Sequence, residues 1–386
     1  MSRLPHVAVV LLFLAVLLRS ELVGAVALTL ITAILLSRLW MRQVERALRV
    51  RREVPEQLPF GEEATVVVRL QNPTLIRVPW VELRESVPLG LRIAAPQPSV
   101  VTLGAGAEHQ IVYRIRGSRR GWYSIGPLRL ALGDVLGLRR LQLTVPSTNV
   151  IVYPRIVPLT ELGLPAALGL GPLAGQRIED PARPAGVRQY VPGDDVRRLD
   201  WKSTARQNTL LVRTADPTIA PETTIALAFG LYDYPAQIIQ EATERAISVA
   251  ASLAVALLAR KLPVSVVTNG HDPQTNTTGV ALGFGKGEGQ RRLLLSLLGR
   301  LVISHERLLW DVVQMQPLPW GGTLALVLAD LTLDTLPQIM ALRRRGQQVL
   351  LLLIEASPTG LALAQQQHLR AYSVDRRGRP LLERRL

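Results

Sequence analysis

Two apolar runs at the amino terminus constrain the fold of this 386-residue chain more than any other feature. Residues 7–18 and residues 22–36 are almost wholly apolar, and the charged tripeptide 19–21 separates them. Each run is shorter than the ~20 residues that cross a ~30 Å hydrocarbon core. A single long helix would place charges near the middle of the bilayer, which costs free energy. The sequence therefore favours a transmembrane helical hairpin with residues 19–21 at its tip.

The charges that flank the runs predict the orientation of the hairpin. Arg3 precedes the first run, and the second is followed by one acid, Glu45, and by six arginines: Arg38, Arg42, Arg46, Arg49, Arg51 and Arg52. Cytoplasmic flanks carry such an excess of arginine, so we expect the soluble part, from about residue 53, to face the cytoplasm. A signal peptide cleaved after residue 27 is the alternative, although the apolar run continues beyond that point.

The composition excludes several classes of site. The chain has no cysteine, which excludes disulfides, a thiolate nucleophile and cysteine-ligated zinc. None of its five histidines lies three or four residues from another, so the spacing does not favour a histidine-rich metal site. The net charge of +15 suits nucleic acid and anionic lipid equally well.

The segment from residue 62 to about residue 153 alternates apolar and polar residues in short runs, such as ATVVVRLQN and HQIVYRIRG. Turn signals separate the runs, which predicts an antiparallel, immunoglobulin-like β-sandwich. Arg119, Arg120, Trp122 and Tyr123 cluster within it. They form either an aromatic and basic binding patch or a strand start with its aromatic residue packed inward, and base rates favour the latter.

From residue 223 onward, strand-like and helix-like runs alternate, which predicts an α/β domain with a parallel sheet covered on both faces. The run 240–261 predicts a helix that is apolar nearly all round from Ala246 to Leu258, so we expect it to be central and buried, with a third membrane helix as the alternative. No phosphate-binding loop follows the first strand, and the glycine-rich stretch 283–289 indicates a flexible loop. Asp330 is expected to cap the helix that follows it rather than to bind a cation.

The densest charge lies between residues 188 and 206, around the turn at residues 192–193. We expect Asp194 or Asp195 to cap a helix that begins near Val196. On that helix Arg197 and Asp200 would share one face, while Val196, Leu199 and Ser203 would face inward. Arg206 would close the helix at its carboxyl end.

Three interpretations of this stretch remain open. Asp194, Asp200 and Lys202 follow the order found in metal-dependent nucleases, but there Asp-x-Lys lies on a strand. The arginines could instead bind phosphates, although the neighbouring carboxylates compete for them. The residue types favour a third interpretation, in which acids and arginines form a bidentate network that fixes the segment and serves as a docking surface.

The pattern RxYxPGDDxRxxDWKxxAR resembles the signature of a bacterial family, domain of unknown function 58, whose membrane-anchored members are similar to von Willebrand factor type A proteins. The matching residues are Arg188, Tyr190, Pro192, Gly193, Asp194, Asp195, Arg197, Asp200, Trp201, Lys202, Ala205 and Arg206. RRGWYSIGPLRL, DVLGL, VYP and the paired amino-terminal spans also resemble family features.

The resemblance implies a membrane-anchored multidomain architecture. Residues 1–52 would form the transmembrane hairpin with its basic flank, and residues 53–153 the antiparallel, immunoglobulin-like β-sandwich. Residues 154–215 would form the signature segment, and residues 216–386 an α/β, Rossmann-like, von Willebrand A-like domain.

The resemblance also implies a function. The chain would be a non-enzymatic adaptor in the bacterial inner membrane that works with a MoxR-type AAA+ ATPase in complex assembly or envelope-linked maturation. Other membrane or envelope proteins are possible partners, and no nucleic acid is expected. The alternatives are a metal-dependent hydrolase at Asp194, Asp200 and Lys202, and a basic binder of nucleic acid or anionic lipid.

The resemblance finally bears on metal binding. Many relatives carry a metal-ion-dependent adhesion motif, Asp-x-Ser-x-Ser, after the first α/β strand. Here residues 228–232 read Ala-Phe-Gly-Leu-Tyr, so the motif is degenerate. We therefore expect no cofactor and no bound metal, with Asp330 as a vestige of the site.

Overall fold

A computed structural model describes residues 4–93, 99–134, 140–165, 184–191, 194, 196, 199–215 and 222–374. The chain divides into two compact units, Met1–Tyr153 and Pro154–Leu386.

The described part of the first unit consists of an amino-terminal helical pair and a set of short strands. Its elements are α1 (Leu4–Leu18), α2 (Glu21–Ala47), β1 (Arg49–Glu53), β2 (Gln57–Leu58), β3 (Glu63–Gln71), β4 (Val78–Glu85), β5 (Leu91–Ile93), β6 (Ser99–Leu103), β7 (Glu108–Gly117), β8 (Gly121–Ile125), β9 (Leu128–Gly133), β10 (Arg140–Val145) and β11 (Thr148–Val152).

The amino-terminal helices turn at the charged tripeptide, where Arg19 adopts a left-handed backbone with φ of 48°. Helix α1 has 15 residues and rises about 22 Å, which is short of a full span. Helix α2 has 27 residues and is long and apolar enough to cross a membrane. These helices indicate membrane association.

Helix α2 extends beyond the apolar run 22–36 and continues to Ala47. Its last turns carry charge on one side, while Met41 and Val44 are buried in the core of the sandwich on the other. Only Leu48 separates the helix from β1. The helix and the sandwich therefore share one hydrophobic core.

The strands of this unit form three sheets, with orders β1-β3-β7-β5, β10-β9-β4-β6 and β2-β11-β8. Every pairing given for them is antiparallel except the short contact of β2 with β11. Val66, Val68 and Leu70 of β3 are buried at alternate positions, as expected for a strand with one face on the core. This part of the chain is a β-sandwich.

An ion pair lies inside the sandwich. Arg52 and Glu85 form a salt bridge with 1% of each side chain exposed. Arg52 Nη2 also donates to the Pro146 carbonyl (2.6 Å) and to Thr148 Oγ1 (2.7 Å), and the Tyr113 hydroxyl donates to Glu85. Burial, together with the Glu85 carboxylate, raises the pKa of Tyr113. Both charges thus have hydrogen-bond partners, although Arg52 Nε is buried without one.

The described part of the second unit contains a strand pair with a short helix, followed by alternating strands and helices. Its elements are β12 (Pro184–Gln189), α3 (Trp201–Gln207), β13 (Leu211–Ala215), β14 (Thr223–Leu227), α4 (Ile239–Ala259), β15 (Val264–Asp272), β16 (Thr277–Gly285), α5 (Gly287–Arg300), α6 (Leu309–Gln314), β17 (Thr323–Leu328), α7 (Leu336–Arg344), β18 (Gln348–Leu353), α8 (Pro358–Gln366) and β19 (Arg370–Ser373).

The strands from β14 onward form one six-stranded sheet, with order β16-β15-β14-β17-β18-β19. Strands β14, β15, β17, β18 and β19 are parallel, as the alternation of strands and helices predicted. Helix α4 also passes the length and composition test for a membrane span, but 67% of its apolar window is buried. It is therefore a core helix, as predicted.

One edge of this sheet differs from the prediction. Strand β16 is antiparallel to β15, and it includes the first glycines of the stretch that was expected to be a flexible loop. The side chain of Gln290 donates to the carbonyls of Val264 (2.9 Å) and Gly283 (2.8 Å). It also fills the space beside Gly285, where a Cβ atom would lie 2.4 Å from its Oε1. The glycine is required by this close approach and does not mark a loop.

Candidate functional site

The signature segment is built on the antiparallel pair of β12 and β13, in which Arg188 lies opposite Val212. Leu199 makes an isolated bridge to Val212, and the Asp200 N–H donates to the Leu211 carbonyl (2.8 Å). Leu199 and Asp200 are therefore paired with β13 immediately before α3. Leu199, Leu211 and Val212 are buried, so the strand pair has a small apolar core of its own.

Asp194 is held by Arg188. The two guanidinium nitrogens of Arg188, Nη1 and Nη2, donate to Oδ2 and Oδ1 of Asp194, both at 2.6 Å. Asp194 Oδ2 also accepts the backbone N–H of Val191 at 2.9 Å. This is the bidentate, charge-assisted pairing that the residue types favoured. It closes the turn and occupies both oxygens of the carboxylate.

Asp200 is the amino-terminal cap of α3. Its Oδ1 accepts the N–H groups of Lys202 and Ser203, both at 3.1 Å, and its Oδ2 accepts Arg213 Nε at 3.3 Å. The hydrogen bond from the Ser203 N–H, with help from the Arg213 guanidinium, holds the pKa of Asp200 below its usual value. This carboxylate is also committed to the fold of the segment.

Two expectations for the segment are wrong. The helix begins at Trp201 and not near Val196, because Leu199 is bridged to Val212 of β13 and Asp200, not Asp194, supplies the cap. Val196 was expected to face inward, but 60% of it is exposed. Arg213, which pairs with Asp200, lies beyond the signature and was missed by the sequence analysis.

The structure describes most of the sequence-predicted signature residues. Arg188 lies on β12, Tyr190 follows it and donates its N–H to Leu210, and Arg206 lies in the last turn of α3, as expected. Lys202 and Ala205 are exposed on the same helix. The expected pairing of Arg197 with Asp200 lies outside the described residues, as do Pro192, Gly193, Asp195 and Arg197 themselves.

Apolar side chains are exposed around these ion pairs. Trp201 is 66% exposed at the start of α3, and four aliphatic side chains are between 40% and 60% exposed: Val187, Val191, Val196 and Leu210. We call these five residues the signature surface. Tryptophan with neighbouring arginine is the composition of strong protein contacts, whereas isolated exposed aliphatic residues are ordinary.

The carboxyl ends of β14 and β15 carry a closed polar cluster. Asn269, which is fully buried, accepts the Phe229 N–H at 2.6 Å, and its Nδ2 donates to Asp233 Oδ2 (2.8 Å) and to the Arg307 carbonyl (3.1 Å). Asp233 Oδ2 also accepts the Gly230 N–H at 2.7 Å. These groups satisfy one another. The sequence analysis missed Asn269 and Asp233, and a polar residue at the end of a buried strand was the available signal.

Asp330 does not cap the helix that follows it. Its Oδ1 accepts the N–H of the adjacent Leu331 (2.8 Å), whereas α7 begins at Leu336 after Thr335. Asp330 instead lies against α8, where a Cβ atom on Gly360 would come within 2.2 Å of its Oδ1. Across the part of the chain that the structure describes, no group of three or more His, Cys, Asp or Glu residues could hold a metal ion.

The aromatic and basic cluster of the sandwich divides between two sides of β8. The Tyr123 ring packs against Gly90 and Gly121, where a Cβ atom would meet it within 3 Å, and its hydroxyl donates to the Arg119 and Arg120 carbonyls. Trp122, opposite Ile151 on β11, is 37% exposed. The inward-packed aromatic residue is thus Tyr123.

A comparison with protein families connects the signature to known sequences. The model of the family described as protein of unknown function DUF58 matches residues 186–277. This match confirms the resemblance that the signature suggested. It covers β12, β13 and the first strand, helix and strand of the α/β sheet. No curated protein matches the chain.

Solved structures resemble only part of the chain. A fragment of Escherichia coli alpha-2-macroglobulin, from domain MG7 to the carboxyl terminus, aligns with 28% of this chain at 14% identity and a TM-score of 0.26. The cupredoxin domain of amoB from Nitrosocaldus yellowstonii aligns with 28% at 13% identity (TM-score 0.22), and the CARDB domain of a Pyrococcus furiosus protein with 27% at 20% identity (TM-score 0.21).

The alignments cover different fractions of those solved structures. The alignments cover 87% of the cupredoxin domain and 86% of the CARDB domain, but the chain spans only 17% of the alpha-2-macroglobulin fragment. Likenesses at these TM-scores carry no argument about function.

Proposed function

We propose that this chain is a non-enzymatic, membrane-tethered adaptor of the bacterial inner membrane, with its soluble units in the cytoplasm. In this proposal it works with a MoxR-type AAA+ ATPase in complex assembly or envelope-linked maturation. Contacts with partners are made by the signature surface and by the α/β sheet of the second unit, which we propose to be Rossmann-like and von Willebrand A-like.

One observation carries the proposal. The carboxylates of Asp194 and Asp200 hold backbone N–H groups and arginines of their own segment, while Trp201 beside them is 66% exposed. Groups that are satisfied within the fold have little capacity for bond-making chemistry. An exposed tryptophan on a segment fixed by ion pairs suits a preformed contact surface, because little conformational entropy is lost on binding.

The carboxyl edge of the sheet supports a contact role without metal. Cation sites in proteins need several oxygen ligands. At the end of β14 the Asn269 amide group bridges the Phe229 N–H, Asp233 and the Arg307 carbonyl instead. We therefore propose a degenerate adhesion site in which an internal amide occupies the space between the strand ends, and in which Asp330 is a vestige.

The charge around α2 supports the proposed orientation. The arginines that follow the apolar part of this helix lie where cytoplasmic flanks carry positive charge. Helix α2 also runs into the sandwich without a linker. The adaptor would thus hold its first soluble unit directly at the membrane surface.

The hydrolase alternative gains no support from the local geometry. Asp200 and Lys202 lie at the start of α3 and not on a strand, and the Asp200 carboxylate caps that helix. The alternative of a basic nucleic-acid or anionic-lipid binder predicts an affinity that falls steeply with salt, which distinguishes it from contacts made through Trp201.

Binding to the purified ATPase tests the proposal. The full chain would be placed in lipid nanodiscs, and its affinity for a purified MoxR-type AAA+ ATPase would be measured with and without ATP. Trp201→Ala is expected to weaken binding about 30-fold, the effect of losing a contact residue worth about 2 kcal/mol. Trp320→Ala is the matched control, because Trp320 is 69% exposed and precedes β17, outside the signature surface.

Two results would contradict the adaptor. One is an absence of binding by the unaltered chain in both nucleotide states. The other is an equal affinity of the Trp201→Ala and Trp320→Ala variants, which would place the contact elsewhere. Melting curves of both variants verify that each remains folded.

A further inference from the structure

A cavity of about 450 Å³ lies between the last turns of α2 and the β-sandwich, inside the first unit. Cavities of this size hold small ligands. It is lined mostly by apolar groups of α2, and the lining residues are Ala33, Leu36, Ser37, Leu39, Trp40, Gln43, Ile76 and Asp134. Six of these eight belong to the helix that is long and apolar enough to cross a membrane.

The wall of this cavity is held in place from both sides. The Ser37 hydroxyl donates to the Asp134 carboxylate, and both residues are buried, with 4% and 2% exposed. One turn further on, Met41 and Val44 belong to the sandwich core. The polar groups of Ser37 and Asp134 satisfy each other, so what the cavity offers an occupant is mainly hydrocarbon contact.

The loop beside the cavity presents an apolar side chain. Leu75 is 92% exposed and precedes Ile76, which lines the cavity. Buried Asn72 fixes this loop, because its Nδ2 donates to the carbonyls of Ile76 and Gly104, both at 2.8 Å, and its Oδ1 accepts the Thr74 hydroxyl at 2.6 Å. Exposure of the Leu75 side chain to water is unfavourable, and its transfer into hydrocarbon is favourable.

The position of the cavity along α2 indicates which kind of molecule occupies it. The wall runs about 15 Å along the helix, from Ala33 in its apolar part to Gln43 in its polar end. Trp40 lies between them, and tryptophan is enriched at the level of lipid headgroups. With α2 in a bilayer, the cavity is continuous with the leaflet that adjoins the sandwich.

We propose that this cavity is a phospholipid site. One acyl chain of a phospholipid from that leaflet enters between α2 and the sandwich, and Leu75 inserts into the interface beside it. The proposal rests on the insertion of α2 in a membrane. It goes beyond the adaptor function and does not depend on any ATPase partner.

Native mass spectrometry of the full chain tests the proposal. The chain would be extracted from membranes in a mild detergent, and bound phospholipid would be counted. The unaltered chain is expected to retain a single phospholipid. Ala33→Phe fills the cavity with a ring and is expected to abolish this retention. Ala25→Phe is the matched control, because it makes the same change at an exposed position of α2 outside the cavity.

A second variant covers the case in which Ala33→Phe fails to fold. Ile76→Trp fills the same cavity from the side of the sandwich, and it is also expected to lose the retained lipid while its melting temperature stays near that of the unaltered chain. The proposal is overturned if the unaltered chain retains no phospholipid, or if the filled and control variants retain equal amounts. A dimer mass that disappears with Ala33→Phe, without any lipid, would also overturn it in favour of a second copy.

Discussion

The sandwich and the signature segment both contain arginine–carboxylate pairs, but they place them in opposite surroundings. Arg52 and Glu85 are each 1% exposed, whereas Arg188 is 46% and Asp194 20% exposed in the signature. A third pair, Arg300 with Asp272 in the α/β sheet, is intermediate at 16% and 1%. The same chemistry therefore spans the range from a buried core to an open surface.

The difference in burial distinguishes ion pairs that stabilise the fold from ion pairs that can shape a contact surface. A buried pair leaves an uncompensated charge when one partner is removed, so it must be kept for the fold to persist. An exposed pair contributes little to stability, because water and salt screen it. We therefore expect the Arg188–Asp194 pair to contribute little to global stability and to fix the shape of the signature surface. The comparison predicts that stability effects follow burial while partner affinity follows the signature.

The largest expected loss of stability comes from the sandwich. Glu85→Ala leaves the Arg52 guanidinium buried without its partner and should destabilise the first unit by about 3–5 kcal/mol. Hydrogen exchange of β3 and β7 amides in the full chain measures the effect within this unit. The double variant Arg52→Met/Glu85→Leu removes both charges and should recover much of the loss. If the Glu85→Ala chain were as stable as the unaltered chain, burial of the ion pair would not determine the loss of stability.

An intermediate effect is expected for Asp272. Arg300 donates to it from Nε (2.7 Å) and Nη2 (2.9 Å). Burial raises the pKa of Asp272, but the hydrogen bonds from Arg300 and from the Gln274 N–H more than offset this, so the pKa is lowered overall. Asp272→Asn should destabilise the second unit by about 2 kcal/mol at neutral pH.

The lowered pKa of Asp272 determines whether its contribution to stability rises or falls with pH. A lowered folded-state pKa stabilises the fold above the unfolded value, near ~3.9, and this stabilisation is lost as the pH falls through the folded-state pKa. Denaturant unfolding of both chains, followed through α4 amides, should therefore show the difference shrinking below pH ~4. A difference that grows on acidification would contradict the ion-pair explanation.

The smallest effect on stability is expected in the signature. Arg188→Ala removes the bidentate contact with Asp194, yet the unfolding free energy should change by less than about 1 kcal/mol because the pair is exposed. The affinity for the ATPase should nevertheless fall, since the turn that carries Val191 loses its anchor. If Arg188→Ala greatly lowered stability and left binding unchanged, the pair would serve the fold and not the contact surface.

Local sequence patterns predicted much of the fold. Period-two alternation located strands of the sandwich, and buried apolar runs located β14, β17 and β18. These local patterns gave wrong predictions where tertiary contacts determine the secondary structure. Strand β16 was missed because its glycines resemble a loop, although Gln290 fills the space beside Gly285. Helix α2 was judged too short because its buried face beyond residue 36, with Met41 and Val44, is interspersed with arginines.

The candidate site was predictable in composition but not in geometry. The residue types predicted a bidentate network of acids and arginines, but not that Arg188 would pair with Asp194. The cap at Asp200 follows Leu199, which is bridged to Val212, a residue that lies beyond the signature pattern. The Asn269 cluster unites three segments of the chain: residues 229–233, Asn269 and Arg307. Neither periodicity nor motif spacing contains such long-range contacts.

Hydrogen exchange of the full chain with and without the MoxR-type ATPase tests the central claim most directly. If the signature is a contact surface fixed by its own ion pairs, amides of β12, α3 and β13 should exchange more slowly in the complex, and Mg²⁺ alone should leave them unchanged. Protection confined to other segments, or protection of the Asp200 turn by Mg²⁺ without the ATPase, would contradict the claim.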